Sequence, residues 1–316
     1  MSDVTRAVSV TDALRRKAVG EGAECVKWLV GLGGMIEELE RDWGIVVGNS
    51  LPGGTASFVA EATAEQGTPA VVKLAMPAAL DGREALDREV RVLRAADGRG
   101  CVRLLRYDSS RGAVLLERLG RQLADLGLPM PGQLEIICDT LRQVWAAPAD
   151  PSLPSGADKA SWLASFVTSS WDELGRPCPE RVVAHAMALA ERRARAFDPD
   201  RAVLVHGDGH VWNTLVDPTA PGRFRLVDPD GLFAEPEYDL AIPLREHHDE
   251  LITGDPVRTG RKRARFLARQ SALDEQSIWE WAYLERVATG LLLIKLQKNT
   301  TLGQMFLEVS DAWVDV

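Results

Sequence analysis

Short apolar runs containing β-branched residues dominate the first third of the chain, and long repeats at helical spacing dominate the rest. Residues 56–64 and 69–76 are two such runs, separated by the turn-forming tetrapeptide EQGT, and predict an antiparallel hairpin. In REALDREVRVLRAA, residues 83–96, Leu86, Val90 and Leu93 recur at helical spacing with Gly98 close behind as a stop, which predicts an amphipathic helix. Residues 101–105 and 113–119, joined by DSSRG, predict two further strands of the same sheet. Beyond Gly120 the period changes: residues 132–146, 159–174, 180–197 and 275–298 all read as helices. One strand-rich island, residues 202–227, interrupts them, with DPTAPGR marking a turn inside it. The pattern implies an N-terminal lobe over residues 1–119, mostly sheet plus one clear helix, and a mainly helical lobe over residues 120–316.

Size agrees with two lobes, because 316 residues exceed the roughly 250–300 at which a single core stops growing. With 46% hydrophobic and 26% charged residues, and no apolar run near the roughly 20 residues needed to cross a bilayer, the composition predicts a globular protein without membrane attachment. The first residues lack the basic start and apolar block of a secretory signal, so the expected location is the cytoplasm. Cys25, Cys101, Cys138 and Cys178 are widely spaced, which argues against a zinc site or a disulfide framework. A formal charge of −9 disfavours nucleic acid and suits a cationic small molecule. The one basic cluster, RTGRKRARFLAR, reads as the solvated face of a helix that turns Phe266 and Leu267 inward.

The candidate chemistry sits in VHGDGHVWNTLVDP, residues 205–218. His206, Asp208 and His210 at alternate positions suggest a metal-dependent hydrolase, but this reading leaves Asn213 and Asp228 unused and lacks a third nitrogen ligand. The other reading is kinase-like. In H-x-D-x-x-x-x-N the aspartate, Asp208, faces an acceptor hydroxyl as base, while Asn213 and a later strand-end aspartate, Asp228 in LVDPDG, hold Mg2+ through oxygen. Upstream, Lys73 lies inside the strand AVVKLAM, an awkward place for a charge unless it meets nucleotide phosphates, and Glu89 on the following helix is its expected anchor, with Glu84 as the rival. SLPGGTAS, ending at Ser57, supplies backbone N–H groups that can close over the phosphates of ATP. Each residue alone has a bland reading; Asp228, for instance, can simply open the turn Asp-Pro-Asp-Gly. Their order along the chain is the signal.

That order, and the segments GRGCVRLLRYDSSRGAVLLERLG, VLVHGDGHVWNTLV and LVDPDGLFAEPEYDLA, resemble the aminoglycoside phosphotransferases, closest to the aminoglycoside 6-phosphotransferases (streptomycin 6-kinases) grouped with hydroxyurea-resistance kinases; WLVGLGGMIEELERDWGI resembles their opening helices. The resemblance implies an α+β, protein-kinase-like two-lobe fold and phosphorylation of an aminoglycoside hydroxyl, streptomycin-like at the 6 position, with ATP and Mg2+. It implies a connector at Glu117 and Leu119 whose backbone meets adenine, and a bracing role for Asp239. The family commonly carries leucine after the catalytic aspartate; Gly209 in that place implies a more flexible loop. A polycationic acceptor calls for acids, and Glu235, Glu246 and Asp249, with Glu237 and Glu250, are the candidates. Asp230 reads as a turn residue in preference to an outer metal contact. Trp279, Trp281, Leu284 and Val287 have the spacing of a packed helix, and Trp212 is expected as a buried anchor of the loop. The expected state is a monomer or homodimer. Two other functions share these residues: a kinase of another hydroxylated metabolite, and a nucleotide-binding protein without catalysis, which the presence of Lys73, Asp208, Asn213 and Asp228 together opposes.

Overall fold

The computed structural model describes residues 8–52, 56–77, 82–246, 248–297 and 299–314. The chain divides into two compact units, with the boundary between Gly120 and Arg121.

The first unit opens with two helices, α1 (Asp12–Glu21) and α2 (Ala23–Trp43). Thr11 caps α1 by accepting from the Leu14 N–H, and Gly44 ends α2 in the left-handed conformation (φ 65°), its N–H closing on the Glu40 carbonyl. A five-stranded sheet follows, built from β1 (Val46–Ser50), β2 (Ser57–Thr63), β3 (Pro69–Ala75), β4 (Leu104–Asp108) and β5 (Ala113–Glu117), with α3 (Gly82–Ala96) between β3 and β4. The strand order is β1-β2-β3-β5-β4 and every pairing is antiparallel. Trp28, Leu32, Ile36 and Leu39 of α2 recur every three or four residues and join Phe58, Ala60, Val72 and Leu74 of the sheet in one apolar core. Because strand residues alternate faces, burying Val72 and Leu74 there sends Lys73 to the opposite face.

Two features of the sheet depart from the sequence reading. An additional edge strand, β1, precedes the predicted hairpin. It has one buried residue, Val47, and contains Gly48 and Asn49, so it carries no alternating apolar signal. The strand expected over residues 101–105 instead begins at Leu104 and runs to Asp108. Pairing with β5 continues to Asp108–Ala113, and the Asp108 carboxylate closes the turn by accepting from Ser110 Oγ (2.6 Å) and the Arg111 N–H (3.0 Å).

The second unit contains α4 (Met130–Trp145), α5 (Gly156–Glu173), α6 (Glu180–Ala196), then strands β6 (Val203–Val205), β7 (Thr214–Val216), β8 (Phe224–Leu226) and β9 (Leu232–Ala234). It ends in α7 (Glu237–Arg245), α8 (His248–Ile252), α9 (Pro256–Ser271), α10 (Glu275–Lys295) and α11 (Thr300–Ala312). Ser155 and Asp158 form a capping box at the start of α5. α10 is the central helix: Trp279, Trp281, Leu284 and Val287 are all essentially inaccessible. The four strands form two antiparallel ribbons, β6–β9 and β7–β8, which hold residues 206–213 and 227–231 at their ends. All four cysteines are free and buried, and among the described residues no helix is long and apolar enough to cross a membrane.

Candidate active site

The loop from His206 to Asn213 is fixed by its backbone. Asp239, buried on α7, accepts from the His206 N–H (3.0 Å) and the Gly207 N–H (2.7 Å) with its two carboxylate oxygens, and the Trp145 indole N–H adds a third bond (2.8 Å). Burial, more than these bonds can offset, pushes its pKa up to about 6. The His206 ring is inaccessible, and its Nδ1 accepts from the Asp208 N–H at 3.2 Å. Burial lowers the His206 pKa to about 4, so the ring is neutral and available as an acceptor. Gly207 adopts φ 89°, a conformation that favours glycine, and a Cβ there would stand 2.9 Å from the Asp230 Cβ.

The loop presents Asp208 with its side chain 30% exposed. Its Oδ2 accepts from Asn213 Nδ2 (3.0 Å) and faces His210 Nε2 (3.3 Å), while Oδ1 faces the Arg245 guanidinium (3.3 Å). Burial alone would raise the Asp208 carboxyl. The His210 hydrogen bond and the charges of His210 and Arg245 more than offset that effect and hold it at about 2. The same contact works in reverse on His210: burial would lower its pKa, but Asp208 raises it. Asp208 is therefore ionised and aimed, and its three partners come from two separate stretches of chain.

Asn213 is anchored by nitrogen. Nδ2 donates to the Asp208 carbonyl (3.1 Å) as well as to its carboxylate, which turns the amide oxygen away from that carboxylate. The Val227 N–H donates to the Asn213 carbonyl at 2.9 Å, so the end of β8 is tied to the same residue and Asp228 follows directly. Asp228 is exposed and held at φ 57°, a costly conformation for a residue with a side chain. Asn213 and Asp228 thus flank the same open end of the β7–β8 ribbon, one bringing an amide oxygen and the other a carboxylate. This donor set fits a hard divalent cation such as Mg2+, which needs few protein oxygens when phosphates supply the rest. Among the described residues, no group of three His, Cys, Asp or Glu is placed to hold a metal ion.

In the first unit, Lys73 Nζ and Glu89 Oε2 are 2.7 Å apart, with side chains only 12% and 6% exposed. Glu84, the rival partner, is exposed on α3. Ser57 is buried at the start of β2, opposite Ala75. The preceding glycines of SLPGGTAS, Gly53 and Gly54, lie outside the described residues. The Glu117 carboxylate accepts from the Arg103 N–H (2.7 Å), and Leu119 is buried.

The acids expected to meet substrate separate into two groups. Glu235 is turned inward, accepting from Trp281 Nε1 (2.6 Å) and paired with Arg193 (3.3 Å), and Glu237 is buried beside it in sequence; both brace the interior. Glu250 pairs with Arg263 (2.8 Å). Glu246 is partly exposed and near enough to His210 to raise its pKa, and Asp249 is exposed on α8. Two loop expectations need correction. Trp212 is 53% exposed and is held through its backbone, its N–H donating to His210 Nδ1 and its carbonyl accepting from Gln122; it is no buried anchor. Gly209 is buried, and a Cβ there would sit 3.1 Å from Leu141 Cδ2, so glycine supplies room for a close approach, not loose motion.

Sequence reasoning missed Arg245, which sits in a polar stretch with no motif to mark it. It touches Asp208, Glu285 (3.0 Å), Glu246 (3.4 Å) and Thr289 (3.2 Å) at once. Glu285 in turn holds Lys159 (3.3 Å) and accepts from the Tyr238 hydroxyl.

The family model for aminoglycoside/hydroxyurea antibiotic resistance kinases matches residues 42–293, a span that includes Lys73, Glu89, Asp208, Asn213 and Asp228. The chain belongs to that family. It is accordingly a kinase, an O-phosphotransferase. A streptomycin 6-kinase of Streptomyces griseus is 30% identical over 283 residues, 88% of this chain and 85% of the relative. A hydroxyurea phosphotransferase of Kitasatospora aureofaciens is 31% identical over 223 residues, 69% and 62% of the two chains. Among solved structures, a choline kinase of Streptococcus pneumoniae is similar at TM-score 0.58 and 14% identity, covering 88% of this chain and 95% of that one. The aminoglycoside phosphotransferase APH(3'')-Id of Streptomyces rimosus is similar at TM-score 0.53 and 17% identity, covering 81% and 98%. These likenesses carry the fold of this family member: protein-kinase-like, with a small antiparallel sheet and a larger helical part.

Proposed function

We propose that this kinase phosphorylates a hydroxyl of a streptomycin-like aminoglycoside, at the 6 position, using ATP and Mg2+, and thereby inactivates the drug. The observation that carries the reading is the Asp208–Asn213 pair, in which one amide nitrogen orients the base while the amide oxygen is left for the metal beside Asp228. Relatives named streptomycin 6-kinase cover most of the chain and supply the acceptor class. In this account Asp208 accepts the hydrogen bond of the incoming hydroxyl, aligns it, and takes its proton as the hydroxyl oxygen bonds to the γ-phosphorus and the bond from that phosphorus to the bridging oxygen breaks, releasing ADP. Arg245 and His210 keep that carboxylate ionised and in one orientation. Lys73, steadied by Glu89, binds phosphate oxygens, and the backbone at Glu117 and Leu119 receives adenine. Mg2+, held by Asn213 and Asp228, neutralises phosphate charge when bound.

A relative named hydroxyurea phosphotransferase makes a smaller hydroxylated acceptor the second reading. A coupled ADP-release assay with ATP and Mg2+ separates them, using streptomycin, other aminoglycosides and hydroxyurea as acceptors. Streptomycin-dependent turnover, with the product phosphorylated at the 6-hydroxyl by NMR, is the expected result. Turnover with hydroxyurea alone would replace the first reading by the second, and ADP release without any acceptor dependence would remove both.

A further inference from the structure

Around the base, most charges are already committed to one another. Asp208 is shared by Arg245, His210 and Asn213. Glu285 is shared by Arg245, Lys159 and the Tyr238 hydroxyl, and Glu246 faces Arg245. Asp230 is the exception: among the described residues its carboxylate has neither a hydrogen bond nor an ion pair, although it feels the charges of Asp208, Lys159, Glu285 and Arg245.

Its place is fixed by close packing. The Gly231 N–H donates to the His206 carbonyl at 3.1 Å, which ties the residue after Asp230 to the residue before Gly207. Gly207 has no Cβ, and one built there would meet the Asp230 Cβ at 2.9 Å. Asp230 therefore stands against the residue that immediately precedes Asp208, and as a residue it is exposed. Four carboxylates (Asp208, Asp230, Glu246, Glu285) meet Arg245, Lys159 and His210, so even with that imidazole protonated the surroundings keep an excess of negative charge. A tight Asp-Pro-Asp-Gly turn accounts for the backbone here but not for a carboxylate without a hydrogen-bond or ion-pair partner among the described residues, set against the 206–213 loop.

We infer that Asp230 is the residue that selects the acceptor, its carboxylate receiving a cationic nitrogen, guanidinium or ammonium, carried by the molecule whose hydroxyl meets Asp208. The inference rests on the proposed aminoglycoside kinase reading and adds the determinant of its specificity. A guanidinium suits the position best, because its planar fork can engage both carboxylate oxygens. Lys159 and Arg245 do not compete for the site, since both are held by Glu285. The surrounding carboxylates, Asp208 and Glu285 among them, repel a second anionic group, so the same surface disfavours acidic alcohols.

The test compares wild type, Asp230→Asn and Asp230→Glu, with streptomycin and an uncharged polyol as acceptors, after thermal unfolding has shown that the variants fold. D230N is nearly isosteric and removes only the charge. Loss of one charge-assisted hydrogen bond predicts a rise of about tenfold or more in KM for streptomycin. KM for ATP and the Mg2+ activation curve should not move, D230E should recover part of the loss, and raised salt should weaken streptomycin binding less in D230N than in wild type. An unchanged KM for streptomycin in D230N overturns the inference and leaves the aminoglycoside reading intact. A shift in the Mg2+ activation curve or in KM for ATP also overturns it, because Asp230 would then belong to the metal's surroundings. If wild type turns over no aminoglycoside but does turn over another cationic alcohol, the proposed substrate fails while the same D230N comparison on that alcohol decides Asp230. If wild type turns over only uncharged alcohols, both fall.

Discussion

Lys73 and Asp208 are both charged groups withdrawn from water, and the protein holds them by different means. Lys73 projects from the middle of a regular strand and meets the Glu89 carboxylate, from a regular helix, at 2.7 Å. Asp208 lies on an irregular loop and is held by Asn213 and His210 from the same loop and by Arg245 from the end of α7, on a backbone itself pinned by Asp239. A strand and a helix give a charge a position through their own periodicity. A loop must borrow its position from many partners, so the second site should be more sensitive to residues that never touch a substrate.

The strongest test of this contrast is Asp239→Ala. It strands two backbone N–H groups and an indole N–H in the interior, each costing about 1–3 kcal/mol, so the expected loss is at least about 3 kcal/mol in urea unfolding, with activity falling too. A loss below about 1 kcal/mol would mean that the loop holds its own shape. Asp228→Ala comes next. If Asp228 holds Mg2+ as proposed, its removal should forfeit several kcal/mol of charge stabilisation, or at least about a hundredfold in turnover, with partial recovery at high Mg2+. Equal activity at ordinary Mg2+ would take Asp228 out of the metal site.

A smaller effect is expected in the first unit. Glu89→Gln releases Lys73 and should raise KM for ATP about tenfold, a change of about 1.4 kcal/mol, whereas Glu84→Gln, on the exposed side of α3, should leave it unchanged. If the two variants behave alike, the Lys73–Glu89 pair is a surface contact and the contrast loses one of its halves. The smallest effect concerns Asp108, which braces the β4–β5 turn. Burial would raise its carboxyl, but bonds from Ser110 and Arg111 hold it at about 2 against an ordinary 3.8. A depressed acid stabilises the fold above its unfolded value and loses that contribution as pH falls through the folded one. The stability difference between wild type and Asp108→Asn should thus be full at pH 5 and above and shrink between about 4 and 2, measured by denaturant midpoints. A difference that stays constant over that range would show that the brace does not depend on charge.

What the sequence revealed follows the same division. The β2–β3 hairpin, α3 and the Lys73–Glu89 pairing were legible because alternating and helical periods say which side chains share a face. The H-x-D-x-x-x-x-N spacing singled out Asp208 and Asn213, and the structure brings their side chains together at 3.0 Å. Arg245 was not legible: it reaches Asp208 across 37 residues of sequence, and no local pattern encodes that contact. β1 was silent because an edge strand with one buried residue leaves no alternation. Trp212 and Gly209 misled for a shared reason: a tryptophan suggests burial and a glycine suggests freedom, but here the tryptophan is held by its backbone and the glycine by Leu141. Asp230 read as a turn because Asp-Pro-Asp-Gly is good turn chemistry whether or not its second acid has further work.

The central claim is that Asp208 serves the acceptor and not the nucleotide. Acceptor-dependent turnover of Asp208→Asn, measured beside its dissociation constant for ATP with Mg2+, tests it directly. The account predicts a fall in kcat of about 10²–10⁴ with ATP affinity within about twofold of wild type. Turnover retained within about tenfold, or a loss that appears in ATP affinity instead, would contradict it.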